Sequence, residues 1–529
     1  MALPAQTIPT PASDAPAERR RVGVIDIGSN SIRLVVFAGA TRAPLPIFNE
    51  KVLCGMGRRL HSTGKLDPDG VEQALANLPR FAAAAESLGV ERLRVVGTAA
   101  IRDAIDGPAF IARVKETSGL KIETISGETE ARLSALGLLS ALPDADGAMG
   151  DLGGGSLELV RLDKGALGPQ ATLPLGPLRL NEAEREGDDI GEVVKETLAA
   201  MRWLPGLAGR TFYAIGGAWR ALARIHQAHT EYRLRVIDGY RVDPDSFRDF
   251  LRLVAKMSDA ALKQLPDVPA KRLDTLRPAA RILRHILNIG RPRHLVFSAQ
   301  GLREGILFDD LPEAKRREDP LLAAAADIAR HFGRFAKLGP SLARWSDGLF
   351  KSESRAEKRL REAACLLSDI GWVDHPDYRA PLVFERALTM PLPGIDHPGR
   401  AFLAHALHAR YEDESGSKQR KTAGALGLDG ADLARARAIG QAIRLGYDRG
   451  RARRRARAHR ARRRREAADA HRAARRRHLR RRKRHQAPRP ARPRAGADPA
   501  PRDAGVGGAG PRNPRGGRLI FVKATPPAV

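Results

Sequence analysis

Two short stretches of this chain share one pattern, and no other feature restricts its fold as strongly. At Gly150 to Val160 (GDLGGGSLELV) an apolar run ends on Asp151. Gly153, Gly154, Gly155 and Ser156 then make a turn, and an alternating stretch carrying Glu158 resumes. At Val22 to Ala38 (VGVIDIGSNSIRLVVFA) a β-branched run ends on Asp26. Gly28, Ser29, Asn30 and Ser31 make the turn, and IRLVVF resumes. Each stretch reads as strand, tight turn, strand. Asp26 and Asp151 lie 125 residues apart, a spacing that fits duplication of a domain rather than a short solenoid repeat. Glycines and small hydroxyls leave backbone N–H groups bare, so such a turn closes around an anion, and a carboxylate beside it holds Mg²⁺ against the same anion. Two of these turns facing each other would grip phosphate from both sides of a cleft.

The segments between them alternate. Helical patterns run over about 68–88 and 108–118, and Leu93 to Gly97 (LRVVG) and Ile122 to Ser126 (IETIS) read as strands. A helix opens at Gly127 with Glu128 and Glu130 in its first turn, where the dipole favours acids. In the second half, Thr211 to Arg220 (TFYAIGGAWR) is a strand running through Gly216-Gly217 into a helix, and His294 to Ser298 leads into Gly301-Leu302-Arg303-Glu304-Gly305. Strands alternating with helices in two similar halves predict an α/β architecture of two lobes. From about 320 onward the pattern is helical. The expected division is a disordered leader over 1–20, lobes over 21–140 and 141–312, a helical domain over 320–447, and an Arg-rich disordered tail over 448–529.

The net charge of +30 suggests a nucleic-acid footprint until it is mapped. Residues 449–529 hold 28 Lys and Arg against four Asp and Glu, so +24 sits there and only +6 on the preceding 448 residues. The tail, mostly Arg, Ala, Pro, Gly and His, cannot bury a core. Its abrupt onset near Tyr447 and the residue types of GC-rich DNA read out of frame make a frameshift the preferred reading. A basic tail binding RNA through phosphate contacts is the alternative. Two cysteines, Cys54 and Cys365, exclude a disulfide framework and fit a reducing cytoplasm. No apolar window is long enough to span a membrane.

Five motifs, in order, give a resemblance. DIGSNS (Asp26 to Ser31), SGETEAR (Ser126 to Arg132), DLGGGSLELV (Asp151 to Val160), AIGGAWRALARI (Ala214 to Ile225) and GLREGIL (Gly301 to Leu307) resemble the exopolyphosphatase / guanosine pentaphosphate phosphohydrolase family. That family belongs to the actin, sugar-kinase and Hsp70 superfamily, so the resemblance implies two actin-like, ribonuclease H-like lobes. It also implies a degenerate HD-like helical domain, a homodimer, and hydrolytic removal of terminal phosphate from inorganic polyphosphate with Mg²⁺. The alternative substrate is guanosine pentaphosphate, in (p)ppGpp metabolism. An ATP-dependent actin-like kinase and a tail-mediated RNA-binding protein are the readings from other classes.

Residue by residue, the resemblance implies that Glu130 aligns or deprotonates the attacking water, against the simpler reading of an acid serving only the helix dipole. Asp151 and Glu158 would hold Mg²⁺, with Asp26 their counterpart by internal repetition; the simpler reading of Glu158 is an outward polar residue on a half-buried strand. The two turns would cradle phosphate through their amides. Arg33 and Arg303, ranked above Arg102, would neutralise a polyanion, since guanidinium suits bidentate phosphate contact. Trp219 and Arg220, directly after Gly216-Gly217, are expected to obstruct an adenosine pocket. In the helical domain the expected His-Asp pair is Ser368-Asp369, and a hydroxyl is a poor metal ligand. His375, His397, His405 and His408 remain, the last two readable as surface residues. The domain is therefore expected to be non-catalytic, serving dimerisation or extending a phosphate channel.

Overall fold

A computed structural model describes residues 20–265, 272–335, 337–413 and 416–449, with Arg465 and Asp469. The leader to residue 19 and the tail, with its frameshift and RNA-binding readings, lie outside the described residues. The described residues up to 449 form one compact unit.

The first half builds a five-stranded sheet from β1 (Val22–Ile27), β2 (Ile32–Phe37), β3 (Pro46–Val52), β4 (Arg92–Gly97) and β5 (Glu123–Thr124), in the order β3-β2-β1-β4-β5. β1 pairs antiparallel with β2 and parallel with β4. The second half repeats the plan with β6 (Gly147–Leu152), β7 (Leu157–Asp163), β8 (Ala166–Leu173), β9 (Thr211–Gly216), β10 (Tyr240–Val242) and β11 (His294–Phe297). Its order is β10-β11-β9-β6-β7-β8, with β6 antiparallel to β7 and parallel to β9. With β10 set aside as an added antiparallel edge, both sheets have the same connectivity, the ribonuclease H-like arrangement of an actin-like fold. The third strand of each sheet, β3 and β8, is absent from the sequence reading, and β5 is shorter than the expected 122–126 strand. β3 is exposed or half-buried at every position, so it offers no hydrophobic run to read.

Two helices cross between the sheets. Gly127–Ala141 follows the first sheet but covers the second, its Ala131, Ala135, Leu138 and Leu139 packing on Met149, Val160, Leu162 and Ile215. Leu302–Asp309 follows the second sheet but packs on the first, through Leu302, Ile306 and Leu307 against Val24, Val35 and Val96. They touch where side chains vanish: a Cβ on Gly137 would stand 2.0 Å from the Gly301 carbonyl oxygen, and one on Gly305 would stand 1.8 Å from that of Leu133. Glycine at both points lets the helices approach backbone to backbone.

Beyond Pro320 the described chain is helical around its own core, which includes Leu321, Leu367, Phe384, Leu403, Leu407 and Ile443. Ser368 donates to the Cys365 carbonyl (2.7 Å) and meets the Tyr447 hydroxyl (3.2 Å). Asp369 is bridged by Arg334 at 2.8 Å and neighboured by Arg410 at 3.7 Å. Ser368 and Asp369 are thus both tied into the packing of the domain. His405 and His408 are buried, which corrects the surface reading: the helix His397–Ala409 lies in the middle of the domain with nearly every residue covered. Among the described residues no helix is long and apolar enough to cross a membrane, and both cysteines are free and buried.

Candidate active site

The β1–β2 and β6–β7 turns are built alike. In one, the Gly28 N–H donates to the Ser31 carbonyl at 3.0 Å; in the other, the Gly153 N–H donates to the Ser156 carbonyl at 3.0 Å. Each is braced from behind. Gly55 and Gly57 donate to the carbonyls of Asn30 (3.2 Å) and Ser29 (2.8 Å), while Leu178 donates to that of Gly154 (3.0 Å). The turns meet tip to tip: a Cβ on Gly154 would lie 3.1 Å from Ser29 Cβ, and one on Gly155 would lie 2.9 Å from Ser29 Oγ. Two glycines there allow a contact that any side chain would push apart.

Between the lobes lies a cleft of about 150 Å³. It is lined by Asp26, Gly28, Ser29, Asn30, Ser31, Arg33, Glu130, Asp151, Gly153, Gly154, Gly155, Ser156, Glu158 and Arg303, all of them named from the sequence, but not by Arg102, the lowest-ranked of the three arginines. Among the described residues no aromatic side chain lines it.

Glu130 reaches the cleft because Ser126 caps its helix, accepting from the Thr129 N–H at 3.1 Å. The helix then crosses the face of the second sheet that carries Glu158. That face is the reason Glu158 is not an outward polar residue. Leu157 and Leu159 pack in one core and Val160 and Leu162 in another, so β7 is covered on both sides and Glu158 is 1% exposed. Asp151 stands directly opposite it in the β6–β7 register. A serine holds each acid: Ser156 Oγ donates to Glu158 Oε1 at 2.6 Å, and Ser134 Oγ donates to Asp151 Oδ2 at 2.8 Å.

Burial pushes the Glu130 carboxyl up to about 7, with Asp151 and Asp26 adding to the rise and Arg102 opposing it. Burial also raises Asp151, and it raises Glu158 well above the carboxylate range, helped by the charges of Glu130 and Asp151. Clustered buried acids that raise one another make a setting in which a bound cation would be stabilised. Hard oxygen donors suit Mg²⁺, which takes one or two protein carboxylates and fills its remaining positions with water and phosphate. Among the described residues no group of three or more His, Cys, Asp or Glu is placed to hold a metal by itself; Asp151 and Glu158 offer the one or two carboxylates that Mg²⁺ takes from a protein. Asp26 is engaged otherwise, accepting at 3.1 Å from Nη1 of Arg303, on the helix that packs against the sheet of Asp26.

The arginines divide. Arg303 pairs with Asp26, and among the described residues Arg33 donates only to Asn49 Oδ1, at 2.8 Å. Arg102 does not line the cleft, yet its Nη1 reaches Glu130 Oε2 at 3.2 Å, so it acts on the candidate base rather than on the polyanion. Trp219 corrects its expectation: it is fully buried against Phe212, its indole N–H donating to the Ala279 carbonyl at 3.0 Å, and it leaves the cleft clear. Arg220 does line the cleft, donating to the carbonyls of Gly216 and Ala299.

Cleft residues that sequence reasoning missed are Lys51, Thr98, Arg220 as a cation, and Arg272. Lys51 is open to solvent along one side. The cleft walls and then Arg272, Arg220 and Arg33 nevertheless push its ammonium down to about 7. Burial, and then Arg303, bring Arg33 and Arg220 each down to about 10. Ser134, four residues after Glu130 on one helix face, was legible from helical spacing alone.

Residues 34–314 match the Ppx/GppA phosphatase family, and residues 321–453 match the family described as exopolyphosphatase, C-terminal. Exopolyphosphatase 2 of Mycobacterium tuberculosis is 27% identical over 310 residues, covering 54% of this chain and 97% of its own. Retrograde regulation protein 2 of Saccharomyces cerevisiae is 25% identical over 435 residues, covering 74% of this chain and 73% of its own. The crystal structure of an exopolyphosphatase from Cytophaga hutchinsonii superposes with a TM-score of 0.51 at 22% identity, covering 55% of this chain and 97% of that one. At that identity the likeness speaks for the fold.

Proposed function

The chain belongs to the Ppx/GppA phosphatase family, a family of phosphohydrolases, and from that premise we propose that it is an exopolyphosphatase, removing the terminal phosphate of inorganic polyphosphate. The observation that carries this reading is the cleft's lining. Two glycine turns and a set of cations face a group of buried acids, and among the described residues no aromatic ring lines that cleft, Phe37 and Phe308 lining an adjoining cavity instead.

In this reading the terminal phosphoryl lies between the turns, held by their backbone N–H groups. Its position relative to Glu130 decides the chemistry, because phosphoryl transfer is accelerated mostly by placement and charge neutralisation. Glu130 orients the attacking water and accepts its proton; a carboxylate raised to about 7 is matched to that exchange near neutral pH. Arg102 steers Glu130 and keeps part of it ionised. Asp151 and Glu158 would hold Mg²⁺, fixed by Ser134 and Ser156. When bound, the ion neutralises phosphate oxygens and the charge that develops on the leaving chain. Arg33 and Arg303 balance the charge of the chain beyond the scissile bond.

The test compares phosphate release from long-chain polyphosphate and from guanosine pentaphosphate, in wild type and Glu130→Gln. Preferential release from polyphosphate, lost by a factor of about 10² or more in Glu130→Gln, supports the reading. Preferential release from the nucleotide would replace it, as would full activity in the variant.

A further inference from the structure

The two glycine turns are braced from behind, each by chain of its own lobe. Gly55 and Gly57 hold the first turn, and Leu178, at the start of the helix Pro177–Glu186, holds the second. Neither brace leaves room for a side chain. A Cβ on Gly57 would stand 2.8 Å from Ser29 Cβ, and one on Gly176 would stand 2.3 Å from the Gly154 carbonyl oxygen. A brace that moves therefore carries its turn with it.

One carboxylate ties the two braces together. Glu182 follows Leu178 by one turn of the same helix and is 6% exposed. It reaches to the other lobe, where its Oε2 accepts from the His61 N–H at 3.0 Å and its Oε1 accepts from the Ser62 hydroxyl at 2.8 Å. Both donors lie on the short helix Leu60–Thr63, just beyond Gly57. His61 and Glu186 also approach across this contact, at 3.8 Å, but that pair is exposed and worth little. Among the described residues no cation pairs with Glu182. Burying a carboxylate without one is costly, and here both of its oxygens serve the opposite lobe. Hydrogen bonds and one helical turn thus link the first glycine turn, through Gly57, His61, Ser62, Glu182 and Leu178, to the second.

We propose that Glu182 is a positioning residue that clasps the cleft, so that the balance between closed and open lobes depends on its two hydrogen bonds. The proposal rests on the reading that the two turns hold the reacting phosphoryl. The lobes also meet at the crossing helices Gly127–Ala141 and Leu302–Asp309, which pack backbone to backbone. Rotation about that crossing draws the turns apart and exposes the Glu182 carboxylate to water. Opening exchanges protein donors for hydration, so the clasp is reversible. Without it the closed form is a smaller fraction of the free protein, and apparent affinity falls by that fraction. Saturating substrate, touching both turns, restores closure, so the loss falls on KM more than on kcat.

The experiment puts nitroxide labels on Glu116→Cys of the first lobe and Glu196→Cys of the second, both exposed positions, while the native cysteines are buried. Pulsed electron paramagnetic resonance then reads the distance between lobes in the full chain, with and without excess long-chain polyphosphate. Without substrate, wild type should give one narrow distribution and E182A should add a longer distance. Excess polyphosphate should return E182A to the wild-type distribution. In the unlabelled proteins, E182A should raise KM for polyphosphate about tenfold, the equivalent of about 1.4 kcal/mol, with a smaller change in kcat. S62A removes one of the two bonds and should raise KM about threefold. The E182A/S62A pair should cost no more than E182A alone, because both changes remove one interaction. A role confined to the stability of the second lobe would lower the melting temperature and leave the distances alone. Identical distributions in wild type and E182A would therefore overturn the clasp, as would an S62A effect that adds in full to that of E182A. Should E182A fail to fold, unaltered distances and KM in S62A, a change at an exposed side chain, would overturn it equally. The substrate-free distances need no turnover. If the wild type released no phosphate from polyphosphate, the exopolyphosphatase reading would fail, and those distances would still decide the clasp.

Discussion

Arg33 and Glu158 occupy the same place in two copies of one hairpin. Arg33 stands opposite Asp26 in the β1–β2 register, and Glu158 stands opposite Asp151 in the β6–β7 register. The duplicated scaffold thus presents one acid from each lobe and then diverges at the partner strand, to a cation on one side and a second acid on the other. In the proposed mechanism this single difference assigns phosphate to the first lobe and metal to the second.

The divergence predicts different losses. Glu158→Gln should raise the Mg²⁺ concentration needed for half-maximal phosphate release by about 10–100-fold. Arg33→Gln should raise KM and leave the Mg²⁺ requirement where it was. Titrating Mg²⁺ at fixed substrate in both variants checks this, and equal Mg²⁺ requirements would remove the metal from Glu158. The same acid should weaken the metal-free fold. The folded-state pKa of Glu158 lies well above 4.5, so its contribution is fully present below the unfolded pKa and is lost as pH rises through the folded one. Glu158→Gln should therefore melt no lower than wild type in chelator at pH 8.

Arg102 and Glu130 give a prediction in pH. Arg102 is the largest influence lowering a carboxyl that burial raises to about 7. If Glu130 must be ionised to take a proton from water, kcat/KM should climb with pH through about 7 and then level. Arg102→Met removes the opposing charge, so its acid limb should move to higher pH while the plateau is approached on the alkaline side. A pH–rate profile reads the shift; an acid limb that stays put or moves down would free Glu130 from Arg102.

The helix crossing gives a mechanical prediction. Gly305→Ala would place a methyl 1.8 Å from the Leu133 carbonyl oxygen, where backbone faces backbone and neither side yields by turning a rotamer. Overpacking costs about 1–3 kcal/mol. Here relief requires the helices Gly127–Ala141 and Leu302–Asp309 to separate, which displaces Glu130 and Arg303 together. The expected outcome is a lowered melting temperature together with a loss of activity larger than the stability loss explains. Gly424→Ala, in open space, serves as the control.

The turns, their order and the acids around them were legible in the sequence because the chemistry of a glycine turn is local. Which acid would be buried was not. Glu158 alternates with leucines as an outward residue would, and only the helix Gly127–Ala141, arriving from the other half of the chain, covers it. Trp219 misled for the related reason that adjacency to Gly217 does not say which way a helix turns its side chains; this one faces Phe212 and the core. Lys51 was hidden because β3 has no hydrophobic run, and only its pairing with β2 sets it beside Arg33. Burial and register are decided between segments, and a single-sequence pattern holds neither.

The histidines predict how the scaffold responds to acid. Burial holds His226, His397 and His405 each down to about 4. Their neutral rings are engaged with the Tyr240 hydroxyl (2.8 Å), the Tyr232 hydroxyl (2.9 Å) and the Gln419 carbonyl (3.3 Å) respectively. In the unfolded chain each titrates near 6.5. A depressed folded-state pKa contributes stability present above the unfolded value and lost as pH falls toward the folded one, so the window runs from about 6.5 down to about 4. Between pH 7.5 and 5 the loss should be about 2 kcal/mol per histidine. His397 joins the helical domain to Tyr232 of the second lobe, so its share reports on that contact. His397→Gln keeps a polar side chain but cannot titrate, and it should remove about one proton from the slope of unfolding free energy against pH in this window. Denaturant titrations at several pH values measure that slope, and an unchanged slope would mean that the His397 ring is already charged within the fold.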